Sequence, residues 1–214
     1  MDFERLFIIG DVHGCLETLR RLIDRIDWHP ESDGLIFLGD YVDRGKKSRG
    51  VIDYIIELSD LSSHIRCLMG NHEGLLLEYL RGGDIERYLF NGGGATLDSY
   101  RVNGRISIPS EHVSFLKSLE LFIELDDYYV VHAGMRPGIE IHQQSPRDLL
   151  WIREPFLYSD YDFGKKVIFG HTPFASPMIK DNKIGLDTGA VFGNRLTCLE
   201  LPCGKVHSVP TADI

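Results

Sequence analysis

A chain of 214 residues with 43% hydrophobic and 26% charged content can bury one sizeable core and has the make-up of an ordinary globular domain. Its formal charge of -9 excludes a general nucleic-acid binder, which needs a basic footprint, and no apolar segment approaches the length of a membrane span. Cys15, Cys67, Cys198 and Cys203 are scattered with no Cys-x-x-Cys, and the N-terminus lacks the regions of a secretory signal, so a cytoplasmic protein with reduced thiols is expected.

In chain order, the apolar run 6–9 closes on Gly10-Asp11-Val12-His13-Gly14. An acid and an imidazole two residues apart at a strand end can share one crevice, although both are also ordinary turn formers. Leu16, Leu19, Leu22, Ile23 and Ile26 fall at helical spacing and predict an amphipathic helix over 15–26. Residues 28–34 read as a turn, and a second strand, 35–38, ends in Gly39-Asp40-Tyr41-Val42-Asp43-Arg44-Gly45. Val51, Ile52, Ile55 and Ile56 mark a second helix ending near Leu61. A third strand, 65–69, then runs into Gly70-Asn71-His72-Glu73 and a helix from Glu73 to about Leu80. This β-α-β-α-β order implies parallel strands with right-handed crossovers, and open α/β sheets bind ligands at the carboxyl ends of such strands.

Residues 81–119 read as short helices broken by glycine, with Asn91-Gly92-Gly93-Gly94 as a loop that lets backbone approach the site closely. Residues 121–132 read as a hairpin with a tight acidic turn, ending in Val131-His132-Ala133-Gly134. A long connection, 134–164, carries one helical patch at 146–152; long loops in compact domains are commonly functional. Strands are expected at 167–169, ending in Gly170-His171-Thr172, and at 178–186, 195–201 and 205–209. The whole, 1–214, reads as a single α/β domain with a second, mostly antiparallel sheet.

Five strand-like runs thus end in a metal-ligand residue type beside glycine, supplying Asp11, His13, Asp40, Asn71, His132 and His171. Mixed carboxylate, amide and imidazole ligands suit Mn²⁺, Fe or Zn²⁺, and six exceed what one catalytic ion with an open position uses. With Asp40 as a bridge they divide between two divalent ions, a cationic centre that attracts phosphate and activates water at neutral pH. His72, beside Asn71, is placed to protonate a leaving oxygen, with Asp43 to fix its tautomer and raise its pKa. Arg44 is a two-pronged donor matched to phosphate oxygens. Lys46, Lys47 and Arg49 serve equally as a solvated helix start or as substrate steering. Glu73 reads as structural, binding backbone N–H groups around the loop. Any one of these residues alone is ordinary, and Asp40-x-x-Asp43 could be a helix cap; the joint pattern is what points to a site.

Asp11-x-His13-Gly14, Gly39-Asp40-x-x-Asp43-Arg44-Gly45, Gly70-Asn71-His72-Glu73, His132-Ala133-Gly134 and Gly170-His171-Thr172 resemble the PPP family of metal-dependent serine/threonine phosphoprotein phosphatases. The likeness is greatest to small bacterial and bacteriophage lambda-type enzymes, and runs from Ile8 to about Glu200. It includes 89–94, 187–192 and Leu150-Trp151-Ile152-Arg153-Glu154, which implies Arg153 as a phosphate ligand alongside Arg44. The resemblance implies a metallo-dependent phosphatase fold, a central β-sandwich of two mixed sheets flanked by helices. It implies one metal on Asp11, His13 and Asp40 and another on Asp40, Asn71, His132 and His171, with Mn²⁺ as the family expectation. It further implies in-line attack by a metal-bridging hydroxide on phosphoserine, phosphothreonine or phosphotyrosine in a protein or peptide, with His72 and Asp43 as the acid pair. No nucleic-acid or membrane partner is expected.

Two alternatives stand beside this. Symmetrical dinucleoside tetraphosphate hydrolases resemble the chain in the first motif and in His-Ala-Gly, but typically carry Ala at the Asp43 position and Asp at the Glu73 position. Arg136, just past His132 in a stretch unlike the lambda-type enzymes, would suit a second phosphate. A non-catalytic metal-dependent binding module should have lost ligands or the Asp43–His72 pair, and every position is present.

Overall fold

The computed structural model describes residues 4–213. The first part follows the expected order: β1 (Arg5–Ile9), α1 (Leu16–Ile26), β2 (Asp33–Phe37), α2 (Ser48–Leu61), β3 (Ile65–Cys67) and α3 (Asn71–Leu80). The three strands are parallel, with Phe7 opposite Leu35 and Leu35 opposite Ile65. The middle holds α4 (Ile85–Phe90), α5 (Gly93–Ser99), a ribbon of β4 (Arg101–Val102) and β5 (Arg105–Ile106), and α6 (Ser110–Ser118). There follow β6 (Phe122–Glu124), β7 (Tyr128–Val131), α7 (Pro146–Trp151), α8 (Glu154–Leu157), β8 (Lys166–Phe169), β9 (Met178–Ile179), β10 (Lys183–Gly185), β11 (Arg195–Leu201) and β12 (Lys205–Pro210).

These strands form two five-stranded sheets, in the orders β12-β11-β1-β2-β3 and β6-β7-β8-β10-β9. The second sheet is mixed, correcting the mostly antiparallel expectation: β7, β8 and β10 run parallel and only the edge strands β6 and β9 oppose them. The long connection after β7 is a crossover, which parallel neighbours require. The last two strands leave that sheet altogether. β11 pairs antiparallel with β1, Ile8 opposite Leu199, and so makes β1 a central strand. The continuous strand expected over 178–186 is broken at Lys180, whose N–H donates to Lys183 O at 2.9 Å and folds β9 back on β10.

Side-chain alternation along β1 explains the layering. Phe7 and Ile9 face α1 and α2 in one apolar cluster, while Leu6 and Ile8 meet Ile123, Val130, Ile168 and Ile184 between the sheets. A strand buried on both faces reads as an unbroken apolar run, which is how 6–9 reads. Tyr129, Val131, Val167 and Phe169 line the outer face of the second sheet under Leu149 and Phe156. The result is helix, sheet, sheet, helix: the expected sandwich.

α1 buries Leu16, Leu19, Leu22, Ile23 and Ile26 but has no side-chain cap of its own at Cys15. Asp213 supplies it from the far end of the chain, accepting from Glu17 N–H at 3.1 Å and from Thr18 N–H at 2.9 Å. The Asn91–Gly94 stretch is only partly loop, because Gly93 and Gly94 open α5. A helix's first turn tolerates glycine since its N–H groups lack intrahelical partners in any case. No helix among the described residues is long and apolar enough to cross a membrane.

The two sheets meet at their carboxyl ends. A Cβ on Gly10, just past β1, would lie 2.5 Å from Leu186 O, just past β10. Gly10→Ala is therefore expected to force the sheets apart and lower stability by about 2 kcal/mol, the range for overpacking a tight contact. A lower urea midpoint at unchanged slope checks this.

Candidate metal centre

The ligand candidates come from strand ends of both sheets: Asp11 after β1, Asp40 after β2, Asn71 after β3, His132 after β7 and His171 after β8. Several sit in backbone conformations that side chains rarely adopt. His13 (φ 45°), Asp40 (φ 51°), Asp43 (φ 71°), Arg44 (φ 68°) and His171 (φ 65°) are all left-handed. Such strain persists only where the surroundings over-determine it. Here the chief restraint is Glu73. Its Oε2 accepts the N–H groups of Asp40 at 2.8 Å and Gly70 at 2.9 Å, and its Oε1 those of Tyr41 at 2.8 Å and Val42 at 3.2 Å. Asp40 O in turn accepts the N–H of His13 at 2.7 Å, so the first loop hangs on the second. This is the structural role expected of Glu73.

Two ligand sets converge on Asp40. On one side His13 Nε2 lies 3.4 Å from Asp40 Oδ2. On the other, His132 Nε2 lies 3.5 Å from Asp40 Oδ1 and 3.0 Å from Asn71 Oδ1, which is also 2.8 Å from His171 Nδ1. Asp40 thus offers one oxygen to each half, as a bridge must. His13 and His132 each donate Nδ1–H to a backbone carbonyl, Val42 O and Leu38 O, both at 2.8 Å. That leaves Nε2 with its lone pair aimed inward, the arrangement of metal-ligating imidazoles. Asp11 Oδ2 accepts His171 N–H at 2.9 Å, while its buried Oδ1 has no hydrogen-bond partner among the described residues. A Cβ on Gly170 would sit 2.1 Å from that orphan oxygen. The unpartnered carboxylate oxygen, the anchored imidazoles and the shared aspartate fit two divalent cations.

Electrostatics sort the four histidines. Burial lowers His13 to about 3 and pulls His132 and His171 down as well, so these three are neutral and ready to ligate. For His72 burial works the same way, but Asp40 and Asp43 outweigh it and raise the imidazole above its ordinary value. That sets His72 apart from the other three although its Nε2 lies 4.0 Å from Asp40 Oδ2, close enough to be grouped with the possible ligands. Burial opposes ionisation of Asp40 too, yet His132, His72 and His13 together hold it below the usual carboxylate range. Asp11 is pushed well up by burial and by Asp187 and Asp40, the electrostatic demand of a cation.

The His72–Asp43 pair is formed, Nδ1 to Oδ2 at 2.7 Å. Asp43 is held by two residues that carry no signal in the sequence: Tyr88 OH donates to Oδ1 at 2.9 Å and Thr96 Oγ1 at 2.6 Å. The glycine-rich stretch serves this pair, since a Cβ on Gly93 would lie 2.5 Å from the Tyr88 ring. Gly92 O accepts Arg44 N–H at 3.1 Å, the close backbone approach expected of that loop. Asp187, raised by burial to about 6, is a further carboxylate of the site. It follows Leu186 just past β10, two residues from Gly185 and Gly189, and sequence reading gave it no role beyond the 187–192 segment.

Each half of the centre has a guanidinium. Arg44 hydrogen-bonds His13 Nε2, and Arg153 Nε donates to His171 Nε2 at 3.2 Å. The ten residues given metal, acid or phosphate-binding roles in the resemblance therefore belong to one connected network. Arg136 does not: its fork is taken by Asp148, at 2.9 and 2.6 Å. Lys47 and Arg49 are likewise tied locally, to Glu17 at 2.9 Å and Asp53 at 3.7 Å, which favours the solvated-helix reading of that tract.

A family model described as calcineurin-like phosphoesterase matches residues 4–197. Among curated proteins, the bis(5'-nucleosyl)-tetraphosphatase PrpE (asymmetrical) of Bacillus thuringiensis (strain Al Hakam) is 28% identical over 237 residues, spanning 96% of this chain and 94% of that protein. The protein of the same name from Bacillus subtilis (strain 168) is 28% identical over 235 residues with the same coverage. A crystal structure provisionally described as a diadenosine tetraphosphatase superposes with TM-score 0.81 at 26% identity, over 98% of this chain and 95% of its own. A Saccharomyces cerevisiae serine/threonine phosphatase similar to human PP5 superposes with TM-score 0.67 at 15% identity, over 100% of this chain and 81% of its own, a likeness of fold alone.

Glu73→Gln would turn one acceptor oxygen into an amide donor facing two backbone N–H groups. We expect it to cost about 2–3 kcal/mol of stability and to weaken divalent-cation binding, read by urea unfolding and by Mn²⁺ titration calorimetry on the same variant.

Proposed function

This chain belongs to the calcineurin-like phosphoesterase family, and from that membership we propose that it splits dinucleoside tetraphosphates asymmetrically. The products are a nucleoside triphosphate and a nucleoside monophosphate. What carries the choice of substrate is the end-to-end likeness to proteins named as asymmetrical tetraphosphatases, at 28% identity over 96% of the chain. Sequence reading put phosphoprotein phosphatase first and symmetrical cleavage second; the relatives favour the nucleotide class and the asymmetrical split. The two guanidinium groups, one on each half of the centre, suit adjoining phosphates of one polyphosphate chain.

When bound, two divalent ions supply Lewis-acid polarisation of the phosphoryl group and water activated at neutral pH. Asp11, His13 and Asp40 would hold one, and Asp40, Asn71, His132 and His171 the other. Arg44 and Arg153 bind the phosphoryl oxygens and offset the charge that grows on them. His72 carries the proton for the departing oxygen at Nε2. Asp43 fixes the opposite ring nitrogen, and Tyr88 and Thr96 fix Asp43. With its acid and its donors thus pinned, the chain presents a pre-set constellation.

Dephosphorylation of phosphoserine or phosphothreonine in proteins is the second reading, and the His72–Asp43 pair favours it. An alkoxide leaves poorly without a proton, whereas a nucleotide phosphate leaves well, so the acid matters more for a phosphopeptide.

The test is Mn²⁺-supported hydrolysis of diadenosine tetraphosphate, a phosphoserine peptide and a phosphotyrosine peptide side by side, with products resolved. We expect the tetraphosphate to be preferred and to give ATP and AMP. Faster phosphopeptide turnover would overturn the substrate, and two molecules of ADP would overturn the cleavage position. His72→Asn is expected to lower phosphopeptide turnover by about 10²-fold or more, the tetraphosphate rate by less, and bound Mn²⁺ not at all. Loss of an ion would instead make His72 a ligand.

A further inference from the structure

The segment after β10 holds a group that the scheme above leaves unused. Phe192 is 64% exposed, and Arg44 Cζ lies 5.5 Å from the centroid of its ring. The ring is not a loose surface side chain. Ala190–Phe192 form one 3-10 turn, with Phe192 N–H donating to Gly189 O at 3.0 Å and Gly193 N–H to Ala190 O at 3.1 Å. Asp187 Oδ1 holds Gly189 N–H at 2.9 Å, and Thr188 Oγ1 donates to Arg195 O at 2.7 Å. The turn is therefore pinned to β11 on one side and to a carboxylate of the metal centre on the other. It presents an aromatic ring to solvent beside a phosphate-binding guanidinium.

We infer that Phe192 is the platform on which a nucleobase of the substrate stacks while Arg44 holds the adjoining phosphate. The inference rests on the nucleotide reading and deepens it. Base and phosphate of a nucleotide are separated by a single ribose, and here the ring and the phosphate donor are neighbours. Every base offers a π-face, and an adjacent guanidinium strengthens such a stack. The other half of the centre differs at its own aromatic, Trp151. Trp151, beside Arg153's partner His171, is only half-exposed and is already flanked by the His171 ring at 6.1 Å and by Arg87 at 5.9 Å.

The experiment measures competitive inhibition of p-nitrophenyl phosphate hydrolysis by the Mn²⁺-loaded protein, using AMP and ribose 5-phosphate. The two inhibitors share phosphate and sugar and differ only in the base. The native protein is expected to bind AMP about tenfold more tightly than ribose 5-phosphate, as one stacked base allows. Phe192→Ala should bring the two within about twofold of each other, and Phe192→Trp should keep the preference. The inference is overturned if the native protein does not distinguish the inhibitors, if Phe192→Ala retains the preference, or if that variant weakens both equally, since the ring would then act only by positioning Arg44. It is also overturned if the variant spares AMP but impairs a phosphoserine peptide, which would make the ring a peptide contact. A Phe192-dependent AMP preference in a protein that leaves diadenosine tetraphosphate intact would sustain the base platform and reject the tetraphosphate as substrate.

Discussion

Four backbone N–H groups converge on one buried carboxylate, and the site depends on that convergence. Glu73 holds Asp40, Tyr41, Val42 and Gly70 at once, across the gap between the loops that follow β2 and β3. These bonds use both carboxyl oxygens, two N–H groups to each. They are set against left-handed backbone at Asp40, Asp43 and Arg44, which relaxes if the anchor is lost. Because Asp40 serves both halves of the centre, its conformation sets the spacing of everything else. The anchor carries no chemistry itself, and its work is to keep a strained loop in place.

Burial is the second organising influence, and its effect depends on the partner. The same desolvation acts on His13, His132, His171 and His72. Three of them end neutral and one ends more basic, because only His72 has Asp43 against its Nδ1 as well as Asp40 nearby. One environment thereby yields three lowered imidazoles and one raised one from four chemically identical side chains. Asp43 does this because Tyr88 and Thr96 both donate to its Oδ1, while Ser48 Oγ accepts its backbone N–H at 3.1 Å.

The sequence made the candidate ligand set legible for a local reason: each stands just past an apolar run with a glycine within two residues, and those glycines are demanded by close approach. A Cβ on Gly70 would lie 2.1 Å from Asp40 Oδ1, so the pairing of ligand and glycine is one physical constraint seen twice. What was illegible is what distance along the chain hides. Tyr88 and Thr96 reach Asp43 from 45 and 53 residues away, and no spacing rule relates them. The sheet to which β11 belongs is set by the open edge of β1, nearly two hundred residues earlier. Met178–Ile179 and Lys183–Gly185 are both apolar enough to read as one strand, and only the Lys180 turn separates them. Asp187 has no glycine directly beside it and entered the sequence reading only as part of the 187–192 segment, without a role of its own. The substrate was least legible, since metal ligands common to a superfamily say nothing of what lies at the mouth. There, Phe192 and the two arginines are exposed residues outside any periodic pattern.

The borrowed cap on α1 joins parts of the molecule that the fold diagram keeps apart. The first turn of that helix begins just after His13, and Asp213 closes it by holding the Glu17 and Thr18 amides. Those amides can exchange with solvent only when the tail lifts away. Their protection factors therefore measure undocking of Asp213 and not fraying of the helix. Lys47, bonded to Glu17 and 3.7 Å from Asp213, extends the same unit to the start of α2. Opening of the segment around Asp213, the first helix and the edge of the Arg44 loop thus forms one cooperative event with a single local stability.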